Sequence, residues 1–165
     1  MIKTIILAGG LGTRISEETK KIPKPMVKIG KIPIIHHIIK IYETYGYNDF
    51  IICGGYKYKT ISKYFSKIKL NSNIKVINTG IGTMTGGRIL KIKKYVKNDE
   101  KFFLTYGDGV SNVNLKKLLK YHIKNKKLLT LTAVQPNMKY GVVKFSKGNK
   151  LISKFEEKPK KHFIS

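Results

Sequence analysis

Residues Leu7 to Met26, LAGGLGTRISEETKKIPKPM, combine a glycine loop, an arginine (Arg14) and a lysine within PKP (Lys24) directly after an apolar run. A glycine turn of this kind points backbone N–H groups at bound phosphate, and the two cations are suited to neutralise it. Ile5, Ile6 and Leu7 read as a short buried strand that ends in Ala8-Gly9-Gly10, a tight turn at the edge of a sheet. Gly10-Leu11-Gly12 is followed by Thr13, Arg14 and Ile15, so neither G-x-x-x-x-G-K-[ST] nor G-x-G-x-x-G is met, and the two commoner phosphate loops are excluded. The competing reading of the glycines alone is a plain strand-to-helix turn.

Of the 34 basic residues only Arg14 and Arg88 are arginine, and each follows a glycine-containing segment (GGLGTR, MTGGR). A guanidinium fork grips two oxygens where a lysine acts as a point charge, so arginine kept at these turns implies a geometric demand. Among the nine carboxylates, only Asp108 sits in a glycine turn after a strand: Phe102 to Thr105 is an apolar run and Tyr106-Gly107-Asp108-Gly109 turns the chain. Ligands of open α/β sheets collect at such carboxyl ends. Asp108 is therefore the expected metal ligand, holding Mg²⁺ against nucleotide phosphates, since that ion takes one or two carboxylates and completes its shell with phosphate and water. An ordinary Asp-Gly turn is the alternative.

These residues must be positioned by alternating strands and helices, and the chain supplies them. The periodicity predicts a helix over 33–45 with Ile34, Ile35, Ile38, Ile39 and Tyr42 on one face, stopped at Gly46, then a strand over 50–53. A helix over 59–66, a strand over 74–77, a loop over 78–87 and a helix carrying Ile89, Ile92 and Val96 follow, with Arg88 at its amino end. Ser111 or Asn112 caps a helix with Leu115, Leu118, Leu119 and Ile123 inward. Leu128 to Val134 reads as a strand, and 142–145 with 151–155 as a hairpin around Lys147-Gly148-Asn149. The pattern implies βαβ units around a parallel sheet in one domain spanning 1–165.

A hydrophobic fraction of 41% fits a folded globular chain. The opening residues run straight into the first strand with no leader or membrane span, so a cytoplasmic protein without a membrane partner is expected. Cys53, the single cysteine, lies in an apolar run and reads as a buried core thiol. The net charge of +25 is spread along the chain rather than grouped in a stripe, so nucleic acid is not an expected partner, although the field draws anions in. His36, His37, His122 and His162 have no metal-ligand spacing and receive no role.

LAGGLGTR, SEET, PKPM, DFIICGGYK, TMTGGR, TYGDGV, TLTAVQP and FEEKPK together resemble the sugar-phosphate nucleotidyltransferases, nearest to the glucose-1-phosphate cytidylyltransferases, from Ile5 to Lys160. The resemblance implies a Rossmann-like three-layer α/β sandwich with a mostly parallel sheet, of the nucleotide-diphospho-sugar transferase type. It implies transfer from CTP to α-D-glucose 1-phosphate, giving CDP-glucose and pyrophosphate, for deoxysugar or surface polysaccharide biosynthesis. Carried over by position, Leu7, Ala8, Gly9, Gly10, Leu11, Gly12, Thr13 and Arg14 would bind the nucleotide with Lys24, Thr83, Arg88 and Gly107. Arg14, Lys24 and Asp108 would carry the chemistry, Asp108 with Mg²⁺, and Lys158 would meet the sugar phosphate.

The stretch between Phe65 and Thr79 is shorter than the family pattern, and relatives continue beyond a position equivalent to Ser165 with a second metal-binding aspartate. The expectation is thus a C-terminally short domain, with a homo-oligomer left open. Two alternatives stand beside the transferase: a nucleotide-binding module of impaired or absent catalysis, and a related transferase for another nucleoside triphosphate and sugar phosphate. An RNA-binding protein is the third and weakest reading.

Overall fold

The computed structural model describes residues 2–12, 22–134, 141–146 and 151–157. They fall into two compact units, Met1–Lys116 and Lys117–Ser165. The first is built on a four-stranded parallel sheet of β1 (Lys3–Ala8), β4 (Asp49–Gly54), β5 (Asn73–Asn78) and β6 (Phe102–Tyr106), in the order β5-β4-β1-β6. β1 and β4 are fully paired and nearly continuously apolar, which is what a parallel strand covered on both faces requires.

Alternation along the strands splits the core between the two faces. Ile5, Leu7, Ile51 and Cys53 pack with Ile92 and Val96, from α3 (Thr85–Lys91), α4 (Lys93–Val96) and the joint between them. The other face takes α1 (Ile34–Thr44), whose Tyr42 meets the rings of Phe50 and Phe103 edge-on at 6.3 and 5.7 Å. α1 begins one residue later than expected, with Pro33 extended at its N-cap, and ends beside Gly46 at φ +84°, a conformation glycine adopts without strain. A short antiparallel pair, β2 (Lys28–Ile29) and β3 (Ile32–Pro33), leads into it, and α2 (Tyr58–Ser66) links β4 to β5.

The helix expected to run through Ile89, Ile92 and Val96 is broken at Ile92, whose side chain is fully buried and whose backbone leaves the helical region at φ −97°, ψ 4°. Arg88 is the fourth residue of α3 and not its amino end; its N–H donates to Met84 O at 3.0 Å.

α5 (Leu115–Asn125) begins at the end of the first unit and runs into the second. The second unit also carries the antiparallel hairpin of β7 (Val142–Phe145) and β8 (Ile152–Glu156), as expected; its turn lies outside the described residues. Leu128 to Val134 is not a strand. Only Val134 makes a bridge, and Leu128, Leu129 and Leu131 are exposed: a run of apolar residues becomes a strand only where a neighbour pairs its backbone, and no described strand does so here. No helix among the described residues is long and apolar enough to cross a membrane.

Candidate active site

The sheet order places the second and third parallel strands on one side of β1 and the fourth on the other, so the direction of winding reverses between β1 and β6. The crevice beyond the carboxyl ends of strands at such a reversal is where open α/β sheets hold ligands. A cavity of about 310 Å³ lies there. Its wall is formed by Leu7 to Gly10 and Gly12 after β1, Lys24 and Pro25, the stretch Thr83–Thr85 with Arg88, and Tyr106 and Asp108 after β6.

Local packing explains how distant motifs meet. Gly107 N–H donates to Leu7 O at 2.9 Å, tying the ends of β6 and β1 together. A Cβ on Gly107 would stand 3.0 Å from Pro25 Cγ and 3.2 Å from Ala8 Cβ, so a glycine here lets the PKP segment settle against the YGDG turn. That segment is a 3-10 turn, Lys24–Met26, with Pro25 and Met26 buried. Lys24 Nζ then pairs directly with Asp108 Oδ2, each side chain 29% exposed. A partly exposed pair contributes about 1 kcal/mol or less, so either partner is released at little cost when a stronger counter-charge arrives.

Arg88 is only 5% exposed and is held by oxygens of the protein. Nη1 donates to Thr79 Oγ1 at 2.6 Å, Gly80 O at 2.8 Å and Gly54 O at 3.3 Å; Nη2 donates to Gly9 O at 2.9 Å and Ile81 O at 3.2 Å. Burial lowers its pKa from the ordinary guanidinium value, with the charge met by carbonyl dipoles. Thr83 Oγ1 is engaged as well, donating to Thr79 O at 2.6 Å and accepting from Lys91 Nζ at 2.9 Å. Pro25 in the cavity wall, and Thr79 and Lys91, which bond to Arg88 and Thr83 from outside it, are residues that sequence reasoning missed as individuals; Pro25 alone carried a signal, its place in PKP.

Of the remaining sequence-predicted residues, Leu11 is exposed beside the glycine turn, while Thr13, Arg14 and Lys158 lie outside the described residues. Asp99 and Asp49 are at the opposite end of the sheet from Asp108: Lys3 Nζ pairs with Asp99 at 2.8 Å, and Asn73 Nδ2 donates to Asp49 at 3.1 Å. Among the described residues no three His, Cys, Asp or Glu side chains cluster to hold a metal, and Asp108 is the carboxylate in the cavity wall. One hard oxygen donor without imidazole or thiolate neighbours fits a hard divalent cation that takes its other ligands from substrate oxygens and water. Cys53 is fully buried and its thiol is pushed up to about 11 by burial, which fits the expected core role.

A glycine turn and a cation-carboxylate pair at a switch point make a site suited to an anionic ligand in an open α/β sheet. The nucleotidyl transferase family model matches residues 3–164, and the chain belongs to that family. It is 41% identical over 181 residues to the glucose-1-phosphate cytidylyltransferase of Salmonella typhi, covering 96% of this chain and 70% of the relative. It is 39% identical over 178 residues to a probable glucose-1-phosphate cytidylyltransferase of Bacillus subtilis (strain 168), covering 95% and 69%. Among solved structures, HddC from Yersinia pseudotuberculosis complexed with GMP-PN superposes with a TM-score of 0.70 at 27% identity, covering 97% of this chain and 71% of that one. The expected Rossmann-like α/β fold of the nucleotide-diphospho-sugar transferase type is thereby borne out.

Proposed function

We propose that this chain transfers a cytidylyl group from CTP to α-D-glucose 1-phosphate, forming CDP-glucose and pyrophosphate, in the cytoplasm where nucleoside triphosphates are made. The product would feed deoxysugar or surface polysaccharide synthesis. The reading is carried by the meeting of the glycine turn, Lys24 and Asp108 in one cavity at the switch point, and it is supported by the cytidylyltransferase relatives.

The reaction asks for no general base, because the sugar phosphate oxygen is already anionic and attacks the α-phosphorus in line with departing pyrophosphate. What the protein must supply is position and charge. The amides after β1 receive the phosphates, Lys24 moves from Asp108 to the α-phosphate as charge crowds there, Arg14 steadies the leaving pyrophosphate, and Lys158 brings in the sugar phosphate against the repulsion of two anions. Asp108 would hold Mg²⁺, which when bound neutralises phosphate charge.

The test is product formation with CTP, UTP, GTP, ATP and dTTP, each with glucose 1-phosphate and Mg²⁺. CDP-glucose from CTP as the dominant product is expected. Turnover with another nucleotide alone would replace the base assignment, and nucleotide binding without turnover would leave a binding module.

A further inference from the structure

We propose a second ligand site, adjoining the Lys24–Met26 turn and separate from the active-site cavity, which takes a phosphate monoester with an apolar body and is coupled to the active site through that turn. The coupling rests on the nucleotide reading of the first cavity; the binding does not.

A cavity of about 540 Å³ lies beside the turn, within the range of small-molecule sites. It shares no wall residue with the cavity at the switch point. Met26, Val27 and Pro33 give it an apolar wall, Lys28, Thr60 and Tyr64 give it polar groups, and no carboxylate lines it. Local structure brings these residues together. Ile34 N–H donates to Val27 O at 2.9 Å, closing the base of the short β2–β3 pair, in which Lys28 stands opposite Pro33. Thr60 and Tyr64 are four residues apart on α2, so their side chains rise from one face of that helix.

The polar groups are set for an anion. Tyr64 Oη lies 2.6 Å from His36 Nδ1, and its ring meets those of His36 and Phe65 edge-on at 5.8 and 5.1 Å. His36 is only 7% exposed, so the phenol is anchored to a fixed post. A phenol with one such bond keeps capacity for another. Lys28 is exposed and has no carboxylate partner among the described residues. Its ammonium is a point charge suited to phosphate, and the two hydroxyls add directed hydrogen bonds. A phosphate monoester presents three terminal oxygens to these three groups, where a carboxylate has two. Bare phosphate would leave the apolar wall against water, so the ligand needs an apolar body to cover Met26, Val27 and Pro33.

The turn joins the two cavities. Lys24 and Pro25 wall the first, and the next two residues, Met26 and Val27, wall the second. The connection is tight: Met26 N–H donates to Pro23 O at 2.8 Å and Val27 N–H to Lys24 O at 3.1 Å. A body packed on Met26 and Val27 restrains the turn that carries Lys24. Less freedom then remains to be lost when a triphosphate engages the lysine, so the two ligands favour each other.

The four methionines are Met1, Met26, Met84 and Met138, of which Met26 lines the second cavity and Met84 the first. NMR of ¹³C-methyl methionine therefore reads the two cavities separately. Phenyl phosphate is titrated into wild type and Lys28→Gln, with inorganic phosphate as control. The expected result is a saturable shift of the Met26 methyl with phenyl phosphate, absent with inorganic phosphate, and an affinity about fivefold weaker in Lys28→Gln, the scale for one partly exposed charge contact. Calorimetry of CTP with Mg²⁺ follows, and saturating phenyl phosphate should lower the CTP dissociation constant of wild type about fivefold, the low end of ordinary coupling between sites. An unmoved Met26 methyl, or a shift that inorganic phosphate or Lys28→Gln reproduces in full, would overturn the site. A Met26 shift with CTP affinity unchanged or lowered would overturn the coupling. Failure of wild type to bind CTP, with the Met26 titration intact, would count against the nucleotide reading and leave the second site standing.

Discussion

Lys24 Nζ contacts Asp108 Oδ2 directly, joining the PKP turn to the YGDG turn inside one cavity wall. The pair holds the cation and the carboxylate of the cavity wall against each other. On the proposed reading a divalent ion would compete with Lys24 for this carboxylate until triphosphate oxygens gave the lysine a second partner. Removing the lysine's charge should help the metal: Lys24→Gln is expected to tighten Mn²⁺ binding in the absence of nucleotide by about threefold to tenfold, the scale for one nearby unit charge at a partly exposed site. Proton relaxation enhancement of Mn²⁺ solutions measures this, and equal affinity in both proteins would separate the metal from Asp108.

Asp108→Asn keeps the shape of the turn and removes the charge. The rate of pyrophosphate release is expected to fall by about 10²-fold or more, the cost of losing one preorganised charge contact, with little change in melting temperature. Stopped assays with CTP, glucose 1-phosphate and Mg²⁺, beside a thermal melt, check both halves.

The glycines of the two strand-end turns separate packing from ligand access. Gly55→Ala places a methyl 2.6 Å from Gly9 O and 2.8 Å from Gly80 O, both backbone, and should lose about 1–3 kcal/mol of stability in urea unfolding. Gly10→Ala meets nothing within 4 Å and should stay within about 0.5 kcal/mol of wild type, while its methyl intrudes on the cavity wall and weakens nucleotide binding.

His36 supplies a pH dependence. It is buried on α1, its Nδ1 lies 2.6 Å from Tyr64 Oη, and its Nε2 has no partner among the described residues; burial, followed by the Lys40 charge, lowers its pKa from 6.5. The unfolded chain thus binds the proton first. Stability is fully present above pH 6.5 and declines as the pH falls from there towards the lower folded value. Urea midpoints at pH 7.5 and 5.5 should differ in wild type, and His36→Gln should narrow that difference.

The strand ends and their turns were legible because they are local: an apolar run followed by glycine says where a sheet stops, and both GGLG and YGDG do so. PKP could be set beside GGLG by its nearness in sequence but not beside YGDG, since nothing in its own spacing shows that Gly107 leaves room for Pro25. Arg88 was legible as an arginine with a geometric task and illegible as to the task, because its five acceptors come from the end of β4 and the turns after β1 and β5. Leu128 to Val134 failed for the converse reason. Apolar residues in a row state an appetite for burial, while a strand also needs a partner the run cannot name.

The nucleotide reading is tested most directly by following the backbone amides of Gly9, Gly10 and Gly12 by ¹⁵N NMR as CTP and Mg²⁺ are added. Saturable shifts at these amides and at Asp108, with the Lys24 ammonium leaving its partner, are the expected result. Binding or turnover of CTP with those amides unmoved would contradict it and place the triphosphate elsewhere.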